Sequence, residues 1–314
     1  MEKYASVVPV KFFPLLLIFL PFMGPAQLPF ENSRFAEVDG ERIHYRVWEA
    51  AEGSPGSRAA GVVLIHGFGA STYSWQQVAD SLSQSGFQVI AVDMPPFGYS
   101  TKTPGINQSF TAHAMRLHRL LHEHFPGKNW HLAGHSMGGG VAQAYSLMYP
   151  QDLESVTFVA AALFTRLPHN DHSVNLLLRL SPLRIIFGEF IQEWLINESL
   201  IERLLSSAYG RTPEPDQVRA YLEPLLLPGT MRAILSAPAY HRELKRLKAP
   251  DLELPSLAIW GEDDSWVPFS GRKPALESMK DTELVLIKGA GHNPMETHFR
   301  EFMGVWLPFL ENFK

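Results

Sequence analysis

The feature that most constrains this chain is the sequence Gly-His-Ser-Met-Gly at residues 134–138, which stands between a predicted strand and a predicted helix. An apolar run at 130–133 precedes it, and a helix-favouring stretch at 139–149 follows it. A serine on such a sharp strand-to-helix turn projects its hydroxyl beyond the end of a sheet. The two elements can pack this closely only if the neighbours of the serine are small, and the glycines meet that need. The pattern therefore predicts an accessible, nucleophilic Ser136.

Short apolar runs alternate with helix-like segments over the first half of the chain. We predict strands at 61–66, 87–93, 130–134 and 155–161, and helices at 73–85 and 109–124. Residues 35–48 alternate around Asp39-Gly40, which predicts an opening hairpin, and the residues before it, including Asn32 and Arg34, are interpreted as a plain linker. This alternation predicts an α/β fold with a mostly parallel, twisted sheet and helices on both faces.

The alternation stops in the middle of the chain. Residues from about 163 to 249 contain no convincing strand, and their Leu and Ile runs are broken by Gly and Pro. We predict that this segment is a helical lid inserted over the carboxyl edge of the sheet, where ligands bind in open α/β folds. The sheet is predicted to resume at Ser256, and the final helix is predicted to begin near Thr297.

Two candidate partners for Ser136 follow it in the chain. Asp264 and His292 each come just after a short β-like apolar run, at 257–260 and 284–287. A serine hydroxyl is a weak nucleophile at neutral pH, and an imidazole can take its proton. The imidazole in turn needs a carboxylate that fixes its tautomer and stabilises its charged form. We therefore predict that Ser136, His292 and Asp264 form a catalytic triad.

A Gly-rich turn also follows the strand predicted at 61–66, in the sequence His-Gly-Phe-Gly at 66–69. A turn of this kind can aim a backbone N–H at a developing oxyanion. We predict that the backbone N–H groups of Phe68 and Met137 form the oxyanion hole. His66 is interpreted as a structural residue whose ring hydrogen-bonds to this turn.

Five motifs carry a family resemblance, at residues 66–69, 93–100, 134–139, 261–268 and 291–292. Together they resemble the α/β-hydrolase superfamily, in the branch of lid-bearing serine esterases, monoacylglycerol-lipase-like enzymes and carbon–carbon bond hydrolases. The resemblance implies an α/β-hydrolase fold and a Ser-His-Asp site, with the three residues in the chain order Ser, Asp, His. It does not imply a particular substrate.

The resemblance also bears on two individual positions. The family spacing from Gly to Asp to Pro fits Gly261, Asp264 and Pro268, which favours Asp264 over the adjacent Asp263. The family loop after the fourth strand usually reads D-x-P-G-x-G-x-S, and here Pro96 stands where the second small residue is expected. Because this loop shapes the wall of the site, the departure bears on substrate fit.

Four histidines fall in the helix predicted at 109–124, namely His113, His118, His122 and His124. His118 and His122 have the i,i+4 spacing of zinc-binding helices, but no third ligand is evident. We interpret this row as a solvated helix face and predict no metal and no cofactor. His135, beside the candidate nucleophile, is interpreted as a packing residue.

Composition excludes several classes of protein. The 314 residues are 46% apolar and carry a net charge of −5, without a basic stripe, so a nucleic-acid partner is not expected. There is no cysteine, which excludes disulfides, thiolate metal sites and a cysteine nucleophile. A chain of this size and apolar content can bury one large core.

The N-terminus reads as a targeting segment. Lys3 and Lys11 accompany an uncharged apolar run at 12–23, and small residues follow at 24–26. We predict that residues 1–26 are a secretory signal peptide, that residues 27–314 are the hydrolase domain, and that the protein is secreted or periplasmic. The alternative is a membrane anchor retained through residues 12–23, although the run is short for a bilayer span.

The functional prediction is a serine hydrolase for carboxylic esters with an apolar acyl or alcohol part, acting on a small-molecule or lipid-like substrate. A carbon–carbon bond hydrolase of the same fold is the main alternative, because lid arginines could bind a substrate carboxylate; the candidates are Arg179, Arg184 and Arg203. An aminopeptidase would use acidic lid residues, here Glu189, Glu193, Glu198 and Glu202. A non-catalytic binding protein is the remaining alternative, since fold alone does not imply activity.

Overall fold

The computed structural model describes residues 28–51, 60–164, 188, 191–236 and 248–313. In these ranges eight strands form one sheet: β1 Ser33–Val38, β2 Glu41–Trp48, β3 Gly61–Ile65, β4 Val89–Val92, β5 Trp130–His135, β6 Leu153–Val159, β7 Ser256–Gly261 and β8 Thr282–Ile287. Their order is β1-β2-β4-β3-β5-β6-β7-β8. The β1–β2 and β2–β4 pairs are antiparallel and the other five pairs are parallel, which confirms the predicted mostly parallel sheet.

Helices in the described residues lie on both faces of this sheet and in the segment between β6 and β7. They are α1 Gln76–Gln84, α2 Phe110–His124, α3 Met137–Met148, α4 Glu198–Tyr209, α5 Pro215–Leu226, α6 Thr230–Leu235, α7 Lys273–Ser278, α8 Pro294–Thr297 and α9 Phe299–Glu311. Successive residues of a strand point to opposite faces. In β3, Val63 belongs to the core that includes α2, α3 and α7, whereas Val62 belongs to the core that includes α1 and α9.

The last helix shows how the sequence pattern produces this packing. Phe302, Trp306 and Phe309 recur at helical spacing in α9 and are buried against the sheet. Each such side chain contributes roughly 1.5–3 kcal/mol when it leaves water. The indole N–H of Trp306 does not remain unpaired, because it donates to the Thr157 hydroxyl on β6 at 2.8 Å.

The opening hairpin is confirmed, but the linker predicted before it is wrong. Asp39 and Gly40 turn the chain with φ of 55° and 76°. The strand β1 already begins at Ser33, so Arg34 lies in the sheet. The Asn32 side chain accepts a hydrogen bond from Arg46 Nε at 2.8 Å and donates one to the Val47 carbonyl at 3.2 Å. These hydrogen bonds hold the segment at the edge of the sheet. The mixed composition of the segment does not predict this position.

A helical segment, α4 to α6, stands between β6 and β7, and we call residues 191–236 the insert. In the described part of 163–249 the chain forms helices and no strand, which agrees with the secondary structure predicted for the lid. The rest of that range, 165–187, 189–190 and 237–247, lies outside the described residues, and the lid itself stays a prediction. The predicted leader at 1–26 also lies outside them. None of the described helices is long and apolar enough to cross a bilayer.

Candidate active site

Ser136 occupies the sharp turn between β5 and α3. Its backbone has φ 51° and ψ −117°, a positive φ that costs a non-glycine residue on the order of 1–3 kcal/mol. The flanking glycines permit the close approach: a Cβ on Gly134 would lie 2.2 Å from the Gly138 carbonyl oxygen, and a Cβ on Gly138 would lie 2.4 Å from that of Ile65. The Ser136 N–H donates to the Val159 carbonyl at 3.0 Å, which fixes the turn to β6. The serine remains partly exposed.

The structure brings His292 and Asp264 together from different loops. His292 Nδ1 lies 2.9 Å from Asp264 Oδ2, and the other carboxylate oxygen accepts the backbone N–H groups of Trp266 and Val267, each at 2.9 Å. Because a carboxylate can only accept, Nδ1 of His292 carries the proton, and the Nε2 lone pair is free to act as a base. The neighbouring Asp263 is exposed, so the position favoured by spacing is the one that meets the histidine.

Further contacts hold the loop that carries His292, residues 288–293, which we call the His292 loop. The backbone N–H of His292 donates to the Ala208 carbonyl on α4 at 2.7 Å. Its carbonyl accepts a hydrogen bond from His135 Nε2 at 2.9 Å, so the predicted packing residue also positions this loop. The indole of Trp266 stacks on the imidazole with centroids 5.6 Å apart. Position 291 must be glycine for this approach, since a Cβ on Gly291 would lie 2.4 Å from the Ala208 oxygen.

Ser136 and His292 line one cavity. Within the described residues no hydrogen bond joins the Ser136 hydroxyl to His292. Catalytic hydrogen bonds often tighten only when substrate binds, so this geometry is compatible with a nucleophile and its base. The backbone N–H groups of Phe68 and Met137 donate to no other backbone group in the described ranges. They are therefore available as oxyanion donors, and that assignment stays a prediction.

His66 has the structural position expected from the sequence. Its Nε2 accepts the backbone N–H of Met94 at 3.0 Å, and its Nδ1 donates to the Gly67 carbonyl at 2.7 Å. Burial lowers the pKa of His66, which keeps the ring neutral in this arrangement. On the same turn, the ring of Phe68 packs edge-on against Phe97 with centroids 5.0 Å apart. The loop after β4 therefore supports the turn that carries the predicted oxyanion donor.

Known proteins are similar in sequence to this chain over most of its length. Residues 62–183 match the family described as the alpha/beta hydrolase fold. The chain is 26% identical over 265 residues to an uncharacterized hydrolase of Bacillus subtilis, which covers 81% of this chain and 89% of that protein. It is 24% identical over 281 residues to a monoacylglycerol lipase of Homo sapiens, which covers 85% of this chain and 79% of that protein.

The three-dimensional architecture is shared as well. A solved structure of a meta-cleavage product hydrolase from Pseudomonas fluorescens matches with a TM-score of 0.70 at 20% identity, over 89% of this chain and 97% of that chain. The chain has the α/β-hydrolase fold. Because a likeness at such identity shows the fold alone, the chemistry of this α/β-hydrolase has to be argued from its own site.

This α/β-hydrolase fold contains another set of Ser, His and Asp, and in this set hydrogen bonds link all three residues. Ser33 Oγ lies 2.8 Å from His44 Nε2, and His44 Nδ1 lies 2.6 Å from Asp93 Oδ2. All three residues are buried, and Ser33 Oγ also accepts the backbone N–H of Phe30 at 3.1 Å. Ser33 lies on an extended strand and does not line the cavity that contains Ser136. The same three residue types therefore serve as a structural tie here, between β1 and the end of β4.

Asp93 is the centre of that tie. Its two carboxylate oxygens accept the backbone N–H groups of Thr72 at 2.7 Å and Tyr99 at 2.8 Å, in addition to the bond with His44. Burial acts to raise the pKa of Asp93, but His44, His66 and the Tyr99 N–H outweigh it and hold the pKa below the ordinary value of 3.8. A carboxyl group with a lowered pKa stabilises the fold above its unfolded pKa, and that contribution is lost as the pH falls through the folded pKa.

We expect Asp93→Asn to lower the free energy of unfolding at neutral pH by roughly 3–5 kcal/mol, because it leaves buried donors without their charged acceptor. The difference between parent and variant should narrow as the pH falls below about 4, because the unfolded parent then binds a proton that the folded carboxylate, with its lowered pKa, does not. Urea unfolding followed by tryptophan fluorescence across the acid range measures both effects. The exposed Asp251→Asn is the matched control. A difference that stays constant through the acid range would contradict this role of the Asp93 charge.

The cavity beside Ser136 has a volume of about 440 Å³, within the range of small-molecule sites. Most of its wall comes from the insert, through Ile196, Leu200, Ile201, Leu204, Leu205, Ala208, Tyr221, Leu225, Met231 and Ile234. Phe68 and Trp266 add aromatic surface from the fold itself. In the described part of the chain, no Lys, Arg, Asp or Glu lines this cavity.

Of the charged residues singled out in the predicted lid, none of those that the structure describes lines this cavity. Three of them lie outside the described residues, namely Arg179, Arg184 and Glu189. The others are exposed and lie away from the cavity wall: Arg203, Glu193, Glu198 and Glu202. In the described insert, the structure therefore provides neither a cation for a substrate carboxylate nor an acid for a substrate amine.

The histidine row of α2 is not the uniform solvated face that the sequence predicts. His113 is fully buried, because its position on the helix faces the core. His118 Nδ1 pairs with Asp152 at 2.8 Å, and its ring stacks on Tyr149 with centroids 3.9 Å apart. Across the described ranges, no group of three or more His, Asp or Glu side chains is arranged to hold a metal ion.

A polar cluster beside the site was not identified from the sequence. Glu296 on α8 accepts hydrogen bonds from Tyr209, Tyr221 and Asn293. The spacing carries no signal for it, because Tyr209 and Glu296 are 87 residues apart. In the sequence Glu296 is only an acid four positions after the candidate histidine.

Proposed function

We propose that this α/β-hydrolase is a serine hydrolase that cleaves carboxylic esters with an apolar acyl or alcohol part. Ser136 is the nucleophile, His292 is the general base, and Asp264 orients the imidazole. One observation carries the proposal: a strained, accessible Ser136 and a carboxylate-oriented His292 line the same apolar cavity. This combination supports nucleophilic acyl transfer at Ser136.

In the proposed mechanism, Ser136 Oγ attacks the ester carbonyl while His292 Nε2 takes its proton. The tetrahedral oxyanion accepts hydrogen bonds from the Phe68 and Met137 N–H groups, and the loss of one such donor costs roughly 2.7–4 kcal/mol of transition-state stabilisation. His292 then protonates the leaving alcohol, and the same residue activates the water that hydrolyses the acyl-enzyme. No metal or cofactor takes part in these steps.

The cavity lining supports an ester over the alternatives. A substrate carboxylate that entered this cavity would lose its hydration without meeting a charged partner among the described residues, which is strongly unfavourable. An apolar acyl chain would instead gain about 0.8 kcal/mol for each buried CH₂. A monoacylglycerol lipase and a meta-cleavage product hydrolase are both similar to this chain, so these similarities favour neither chemistry, and the lining is the observation that supports the ester.

A panel of p-nitrophenyl esters from acetyl to octanoyl tests this proposal. We expect kcat/KM to rise roughly threefold to fourfold for each added CH₂ until the cavity is full, since each buried CH₂ contributes about 0.8 kcal/mol. A succinyl ester, which resembles the butanoyl ester but ends in a carboxylate, is expected to react about 100-fold more slowly than butanoyl because its charge finds no partner.

Each of the other outcomes has a definite meaning. A flat acyl-length profile, or a preference for the succinyl ester, would contradict an apolar acyl site. If no ester is hydrolysed but a fluorophosphonate probe labels Ser136, the carbon–carbon alternative replaces the ester proposal. If the probe labels no residue, the protein is not a serine hydrolase.

A further inference from the structure

The Glu296 cluster joins two consecutive helices of the insert to Asn293 and Glu296, which follow Tyr221 by 72 and 75 positions in the chain. Tyr209, at the end of α4, donates to Glu296 Oε2 at 2.9 Å. Tyr221, on α5, donates to Oε1 at 2.6 Å. Asn293, the residue after the candidate base, donates to Oε1 at 2.8 Å and also reaches the Tyr221 hydroxyl at 3.3 Å. One carboxylate thus holds both long helices of the insert against the His292 loop.

The charge and protonation of the cluster suit this role. Burial raises the pKa of Glu296, and the three donors together with Arg211 act in the opposite direction. Burial and the Glu296 charge also raise the pKa of Tyr209 and Tyr221, so both phenols remain protonated donors. Hydrogen bonds to a carboxylate are stronger than those between neutral groups. A neutral acceptor at this position would hold the two helices less firmly.

The cluster lies directly behind the cavity wall. Tyr221 and Asn293 line the cavity, whereas Glu296 stands behind them and does not line it. Tyr221 also packs edge-on against Tyr73, with ring centroids 6.1 Å apart. The backbone hydrogen bond from the His292 N–H to the Ala208 carbonyl is a further contact between α4 and the His292 loop. A shift of α5 would therefore change the shape of the acyl cavity, while His292 keeps its own bonds to Asp264 and His135.

We propose that Glu296 is a positioning residue, which fastens α4 and α5 to the His292 loop and thereby fixes the Tyr221 and Asn293 wall of the acyl cavity. This proposal rests on the proposed ester hydrolysis at Ser136. It assigns Glu296 to substrate fit and leaves the chemical step to the triad. The kinetic signature is a higher KM for long acyl chains at nearly constant kcat, because binding remote from the reacting carbonyl is weakened.

The test compares Glu296→Gln, Tyr209→Phe and the double variant on acetyl and octanoyl esters. We expect each single variant to raise the octanoyl KM by about tenfold, because Tyr209→Phe removes one charge-assisted hydrogen bond and Glu296→Gln gives the three donors a neutral acceptor. The acetyl parameters should change less than about twofold, because the short acyl group leaves most of the apolar wall unused. The octanoyl KM of the double variant should rise by less than the product of the two single increases, because both changes act on the same hydrogen bond between Tyr209 and Glu296. Glu202→Gln, an exposed change of the same type on α4, is the matched control.

Hydrogen exchange of residues 198–226 is measured in the same variants, because it reports docking of the insert without any substrate. Faster exchange in Glu296→Gln than in Glu202→Gln supports the proposal, even if the parent hydrolyses none of the esters. Unchanged exchange together with an unchanged octanoyl KM overturns it. A fall in kcat that is equal for acetyl and octanoyl esters also overturns it, because that result assigns Glu296 to the base alone.

Discussion

Replacing Ser136 with alanine is expected to lower kcat for the proposed ester hydrolysis on the order of 10⁶-fold, as for the loss of a triad nucleophile in serine hydrolases. The reason is chemical, since no other hydroxyl in the described chain combines a strained turn, partial exposure and access to the His292 cavity. Initial rates with the best ester of the acyl series measure the effect. Circular dichroism should show an unchanged fold, because the removed oxygen makes no hydrogen bond to another element in the described residues.

Ser33→Ala is the matched control, because Ser33 belongs to the buried Ser-His-Asp chain with His44 and Asp93. We expect this variant to retain its fluorophosphonate labelling and its turnover per folded molecule, with some loss of stability. Labelling that persists in Ser136→Ala and disappears in Ser33→Ala would falsify the assignment of the nucleophile. Together, Ser136→Ala and Ser33→Ala test whether a serine becomes reactive because it lies on a strained turn or because it is hydrogen-bonded to a His-Asp pair.

Replacing Asp264 with asparagine is expected to lower kcat by about 10⁴-fold. The structure gives a reason for the size of the effect. The N–H groups of Trp266 and Val267 both need an acceptor, so the amide oxygen takes the place of Oδ1 and the amide NH₂ faces His292. A donor at that position stabilises the imidazole tautomer with its proton on Nε2, which cannot accept the Ser136 proton.

Asp263→Asn provides the control for this prediction, because the adjacent carboxylate is exposed. We expect its kcat to remain within about twofold of the parent, as for a surface charge outside the site. The pH–rate profiles of both variants should be recorded, since loss of the correct tautomer persists at every pH. Equal loss of activity in the two variants would mean that the loop as a whole, and not the Asp264 carboxylate, supports His292.

Local patterns account for the parts of the structure that could be predicted. The turn at Ser136 requires small residues at fixed short distances, and Gly134 and Gly138 stand at those distances. The hairpin at Asp39 and Gly40 follows from two adjacent residues that tolerate positive φ. In both cases the residues that decide the structure are neighbours in the chain, so a single sequence contains the necessary information. The catalytic roles assigned to the residues of the site stay predictions.

The features that could not be predicted depend on distant pairs. Asp93 and His44 are 49 residues apart, and their bond forms only because β2 and β4 are neighbours in the sheet. The Glu296 cluster depends on how α4 and α5 fold back over the sheet, which helical periodicity does not specify. Likewise, the burial of His113 depends on which face of α2 meets the core. Each is decided by tertiary packing, which local spacing does not reveal.

The hydrogen bond from His292 to the Ala208 carbonyl has a consequence for how this enzyme can be altered. The insert is not an interchangeable module, because its backbone at α4 forms part of the support of the candidate base. A graft from a relative would have to reproduce the carbonyl at position 208 and keep glycine at 291, where a Cβ would lie 2.4 Å from that oxygen. New substrate preferences are therefore more accessible through single replacements at wall positions such as Leu200 or Leu225 than through exchange of the whole segment.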